Sequence, residues 1–161
     1  MTTKVQVVIR RVHAAAFAAE AEATATMYLA SRRAMLPGLR EPHTDAQTRV
    51  WMRETVFTQH TVRLADVNGE IVGFASRDGS WLMNLYVKPG WTGHGIGSEL
   101  LTAMLANAAG AAPVLRLCTF SRNERARRFY ERHGFAAIAH GDGSGNAEHE
   151  PDTRYERSTR S

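Results

Sequence analysis

The sequence predicts an α/β fold: a mixed, mostly antiparallel sheet with a central parallel strand pair, flanked by helices on both faces. Two observations carry this. "TVRLADV" and "EIVGFAS" flank Asn68 and Gly69, a dipeptide that favours a tight antiparallel hairpin because both residues tolerate positive φ. Farther on, the apolar run "WLMNLYV" is followed by Ile96, Leu100, Leu101, Met104, Leu105 and Ala108 at helical spacing, and then by "PVLRLCTF". Strand, helix of about fourteen residues and strand in that order imply a parallel pair joined by a right-handed crossover.

In chain order, "KVQVVIRRV" reads as an opening strand, β-branched and without a breaker. The alanine-rich stretch from Ala14 to about Met35 reads as a helix with Phe17, Ala21, Tyr28 and Leu29 for its buried stripe, stopped by Pro37 and Gly38. Thr44 opens a second helix through a capping box with Gln47, and Val50, Trp51 and Phe57 give it apolar surface until about Gln59. The hairpin follows, then a turn at "RDGS" and the run "WLMNLYV", whose continuity suits a strand covered on both faces and which Pro89 ends. Gly110 closes the next helix. After "PVLRLCTF", "SRNERARRFYERHGF" is a helix with Ser121 and Glu124 as a capping box and Gly134 at its end. "AAIAH" is one more strand, "GDGSGNAEHEPD" a polar loop, and "TRYER" a short closing strand before a tail that frays after about residue 157. With no repeat and no linker, residues 1–161 read as one domain.

The 161 residues suffice for a buried core without staples, and Cys118 is the sole cysteine, which excludes an internal disulfide and a cysteine-based zinc site. No segment resembles a secretory signal or a membrane span, so the cytoplasm is the expected location. The net charge of +4 comes from arginines scattered among sixteen carboxylates, with Lys4 and Lys88 the only lysines. That scatter favours a solvated surface over a phosphate-tracking patch and argues against nucleic acid.

The chemistry sits in "LYVKPGWTGHGIGSELL", Leu85 to Leu101. A strand that runs through a glycine loop into a helix collects unpaired N–H groups at the positive end of the helix dipole, and glycines let an anion approach them. A Walker loop is excluded because Ser98 and Glu99 follow Gly97 where Lys and Ser or Thr are needed. A dinucleotide fingerprint is excluded because Leu100 stands at the third glycine's place and "LRLCTF" offers no carboxylate for a ribose.

With "VKPGWTGHGIG" and, downstream, Asn123, Ala126, Phe129, Tyr130, Gly134 and Phe135 in view, the sequence resembles the GNAT superfamily of acyl-CoA-dependent N-acyltransferases. The two motifs cover about fifty residues, Leu85 to Phe135. The resemblance implies acetyl-CoA as cosubstrate, with no metal. It implies that Thr92, Gly93, His94, Gly95, Ile96, Gly97 and Ser98 hold the pyrophosphate and that the main chain of Leu85, Tyr86 and Val87 pairs with pantetheine. Thr92 departs from the family's Arg or Gln there, which leaves His94 as the expected substitute contact.

Asn123 and Tyr130, seven apart, fall on one helix face about 10 Å apart along the axis. By the resemblance, Asn123 holds the pantetheine amide while Tyr130 protonates the departing thiolate as an amine attacks the thioester directly. His133 reads as packing or a helix-end charge, Cys118 as a small buried hydrophobe. Asn84, Tyr86 and Cys118 lie on the strands that border the reacting centre, but none is assigned as general base. The loop carrying Asp142, Glu148, Glu150 and Asp152 borders the acceptor pocket in this reading, with carboxylates suited to a cationic amine; the spacing of His140 and His149 matches no metal motif. The expected partner is a small-molecule primary amine, with no nucleic acid and no membrane, and a homodimer stays open. The rival readings are a non-catalytic acyl-CoA sensor and a protein N-acetyltransferase.

Overall fold

The computed structural model describes residues 5–160, so Lys4, the expected start of the first strand, lies outside them. The described strands are β1 (Val8–Arg10), β2 (Thr61–Val67), β3 (Glu70–Asp78), β4 (Trp81–Val87), β5 (Val114–Phe120), β6 (Ala136–Gly141) and β7 (Asp152–Ser158). They form one sheet in the order β1-β2-β3-β4-β5-β7-β6, antiparallel throughout except for the parallel pair β4 and β5. Asn68 and Gly69 both have positive φ, 52° and 88°, as the hairpin between β2 and β3 requires.

The first strand is shorter than the β-branched run suggests. Only Val8–Arg10 pair with β2, and Val5 and Val8 stay exposed. Its anchor is ionic: the Arg10 guanidinium binds Glu20 at 2.6 Å and Asp66 at 2.9 Å, and the His13 N–H donates to Glu20 at 2.7 Å. A single 3-10 turn (Ala14–Ala16) then leads into α1 (Phe17–Met35).

The Thr44 and Gln47 capping box forms as expected and opens α2 (Asp45–Trp51), which runs on through five residues of π-helix (Met52–Val56) into α3 (Phe57–Gln59). The wide turn lets Met52, Val56 and Phe57 all bury, whereas Val50 faces solvent. These residues pack with Ala25, Tyr28, Val62, Leu64 and Phe74 on one face of the sheet. α4 (Ile96–Ala109) covers the other, burying Ile96, Leu100, Leu101, Met104 and Ala108 against Val72, Ala75, Leu115 and Tyr155.

Three expectations change. β4 is not covered on both faces along its length: the register with β3 slips at Met83, which is 50% exposed, and the side chains of Leu82 and Asn84 therefore turn to opposite faces. α5 (Glu124–Arg132) is capped by Asn123, whose side chain accepts from the Ala126 N–H, while the Ser121 hydroxyl binds Thr153. The closing strand inserts between β5 and β6 and stays ordered past residue 157, since Thr159 donates from its N–H to Pro113 and from its hydroxyl to Ala112. Among the described residues no helix is long and apolar enough to cross a membrane.

Candidate active site

The glycine loop delivers an open helix end. Gly95 caps α4 with φ of +79°, and Gly93 has φ of +82°, conformations that a side chain opposes by about 1–2 kcal/mol. The first intrahelical bond is Glu99 N–H to Gly95 C=O, and the N–H groups of Ile96, Gly97 and Ser98 meet no acceptor among the described residues. Gly73 of β3 lets the helix lie close, because a Cβ there would stand 3.1 Å from the Tyr86 carbonyl and 3.1 Å from Leu100. His94 does not reach the cleft as expected. Its Nδ1 lies 3.1 Å from the Trp91 carbonyl and 3.2 Å from that of Thr92, where it braces the loop. The cationic side chains in the cleft are instead Arg125 and Arg132, seven apart on α5 with Phe129 between them. The sequence signalled them only by that spacing, which reads equally as a solvated face.

The parallel strands touch at one point, Trp81 opposite Arg116, and then diverge. Which main-chain groups of β4 face the gap follows from parity. Lys88 donates to the Val72 carbonyl, so Tyr86 and Asn84 direct their N–H and C=O groups at β3, and Leu85 and Val87 direct theirs away from it. The Ser31 hydroxyl confirms the sense by donating to Val87 C=O at 3.0 Å. Tyr86 therefore offers no pairing edge, contrary to expectation, and the free donors on that side are the N–H groups of Leu85 and Val87.

Two cavities meet at Tyr130. One, of about 360 Å³, runs from Thr92, Gly93, Gly95, Gly97 and Ser98 past Trp91 and Val87 to Leu85. The other, of about 80 Å³, is lined by Leu82, Met83, Asn84, Tyr86, Leu117, Cys118, Thr119 and Asn123. Met35, Leu85, Ala126 and Tyr130 wall both. The Tyr130 phenol is buried, and burial, followed by the Tyr86 phenol, pushes its pKa above the usual 10.0. It makes no hydrogen bond among the described residues. Asn123 faces only the smaller cavity, with its carbonyl engaged in the helix cap.

This arrangement sets an open helix end, a strand edge with outward N–H groups and a proton-bearing phenol along one path. A family model described as an Acetyltransferase (GNAT) domain matches residues 58–137, which span the helix end, β4 and α5. The chain belongs to the GNAT acetyltransferase superfamily. Solved structures agree in fold along nearly the whole chain. An N-acetyltransferase from Staphylococcus aureus Mu50 aligns with TM-score 0.74 and 18% identity, covering 96% of this chain and 99% of that one. Apo-form YjaB from Escherichia coli aligns with TM-score 0.73 and 21% identity over 94% and 97%. PaiA N-acetyltransferase from Thermoplasma acidophilum, solved in complex with coenzyme A, aligns with TM-score 0.67 and 19% identity over 95% and 99%. No curated protein sequence matches.

Other side chains of this GNAT domain depart from expectation. The carboxylates of the loop before β7 are not free for a cation: Glu148 pairs with Arg32 at 3.3 Å and Glu150 with Arg122 at 2.5 Å, while Asp142 caps Ser144. Arg32 also donates to the Tyr28 hydroxyl at 3.0 Å, and the Tyr28 ring lies 4.8 Å from that of Tyr86. Cys118 is exposed rather than buried, and partial desolvation, with Asp152 beside it, pushes its thiol above the usual value. His133 is no helix-end charge, because burial and then Arg132 and Arg157 lower its pKa; its Nε2 lies 3.0 Å from the Ser98 hydroxyl.

Proposed function

We propose that this GNAT domain is an N-acetyltransferase that moves acetyl from acetyl-CoA to a primary amine of a small molecule by direct attack, with Tyr130 as general acid. One observation carries the reading: Tyr130 is the phenol common to the cavity that starts at the open helix end and to the smaller one across β4. The residues present fit the cosubstrate. The N–H groups of Ile96, Gly97 and Ser98 and the guanidinium groups of Arg125 and Arg132 suit a diphosphate, and the outward N–H groups of Leu85 and Val87 suit an extended polar arm.

Acetyl-CoA supplies an acyl carbon activated as a thioester. The Leu85 N–H is the donor placed to stabilise negative charge on the carbonyl oxygen as the amine nitrogen adds. Tyr130 gives its proton to the departing sulfur. The same burial that raises the phenol's pKa also raises that of a thiolate beside it, so the transfer stays matched. Thiol release from acetyl-CoA across a panel of primary amines tests the reading. Amine-dependent release that collapses in Tyr130→Phe with CoA affinity retained supports it. CoA binding with no release for any amine would point to a sensor.

A further inference from the structure

We infer that the acceptor is a weakly basic primary amine with an apolar body, taken as its free base and held by the side-chain carbonyl of Asn84. The inference rests on the acetyl-transfer reading above and adds the class of its second substrate. The walls of the smaller cavity are Met35, Leu82, Met83 and Leu117 with the neutral polar groups of Asn84 and Thr119. Met35 and Met83 are partly exposed, at 37% and 50%, and form an apolar mouth. No charged side chain lines it among the described residues. The titratable groups that do are Tyr86, Cys118 and Tyr130; burial holds the two phenols protonated, and partial desolvation with Asp152 nearby holds the thiol so. Behind these walls Arg32 is paired with Glu148, and beside Cys118 Asp152 and Arg154, the latter over the Trp81 ring, act on the thiol in opposite senses. An ammonium moved into such a site would lose its water without gaining a counter-ion, at a cost of several kcal/mol.

A neutral amine needs one well-aimed acceptor, and a buried chain of hydrogen bonds supplies it. Asn84 Nδ2 donates to Ser76 Oγ at 2.8 Å, and Ser76 Oγ lies 3.2 Å from His60 Nδ1. Burial, against the nearby Asp78, lowers the His60 pKa, so the ring is neutral, and in the tautomer with its proton on Nε2 the Nδ1 accepts the serine proton. Ser76 can then only accept from Asn84, which fixes the amide with Oδ1 left for the cavity. There it meets one N–H while the nitrogen lone pair faces the thioester. The nitrogen–carbon bond forms and the carbon–sulfur bond breaks. The sulfur takes the Tyr130 proton, the nitrogen's surplus proton leaves to water, and water restores the phenol. This accounts for a site without a carboxylate base.

The test uses the intact protein, acetyl-CoA and amines of one shape. For benzylamine, kcat/KM should fall about tenfold per pH unit below that amine's own pKa. For the less basic O-benzylhydroxylamine it should stay flat over the same range. Para-aminomethylbenzoate and para-xylylenediamine, which add a negative or a positive charge, should react at least about tenfold more slowly than benzylamine. Asn84→Asp should narrow or reverse the gap for the diamine; the unsubstituted protein alone decides the matter if that variant does not fold. Equal use of the charged analogues, or one enzyme-set pH profile shared by both benzyl compounds, would overturn the inference and leave acetyl transfer standing. CoA binding without thiol release from any amine would overturn both.

Discussion

Replacing Tyr130 by phenylalanine removes one oxygen that no other described residue uses and keeps the ring contacts with Phe129 and Phe135, whose centroids lie 5.2 and 5.6 Å away. Stability should hardly change, while kcat should fall about 10²- to 10³-fold with the acetyl-CoA KM kept, as steady-state thiol release would measure. The glycines make a contrasting pair. Gly95→Ala forces a side chain into the left-handed region and should weaken CoA binding about tenfold or more by displacing the first-turn N–H groups. Gly97→Ala should stay within about threefold by calorimetry, because φ is ordinary there and the added methyl would meet Phe129 at 3.4 Å, a normal contact.

At the level of elements, the position of α4 depends on Gly73. Gly73→Ala should cost about 1–3 kcal/mol in urea unfolding, since Tyr86 C=O is main chain and cannot step aside. The joint between β1, α1 and β2 is electrostatic. Burial alone would lift the Glu20 and Asp66 carboxyls. Hydrogen bonds from Arg10, with those from the His13 and Gly69 N–H groups, outweigh it and hold both below their ordinary 4.5 and 3.8. Depressed carboxylates stabilise the fold above their unfolded pKa values and lose that contribution as pH falls through the folded ones. Glu20→Gln should therefore cost about 3 kcal/mol at neutral pH, and the gap to the parent protein should narrow progressively as pH falls below the ordinary 4.5. Urea midpoints across that range check the sign.

Over the whole molecule, what was legible in the sequence is what depends on local chemistry. Asn68–Gly69, the Thr44 box and the crossover through α4 each appear where residue preference alone puts them. What was not legible depends on partners distant in sequence. Ser121 leaves the cap to Asn123 because Thr153 takes its hydroxyl, and Glu148 meets Arg32 from more than a hundred residues away. Tyr86 loses its pairing role through strand parity that the Lys88 to Val72 and Ser31 to Val87 bonds reveal. In the proposed function the first turn of α4 and the outward N–H groups of β4 hold one elongated thioester donor. Amide hydrogen exchange with and without CoA tests this arrangement. New protection is expected at Ile96, Gly97, Ser98, Leu85 and Val87, with Tyr86, already bonded to β3, slow in both states. Unchanged exchange at the start of α4, or protection gained by Tyr86 in place of its two neighbours, would contradict it.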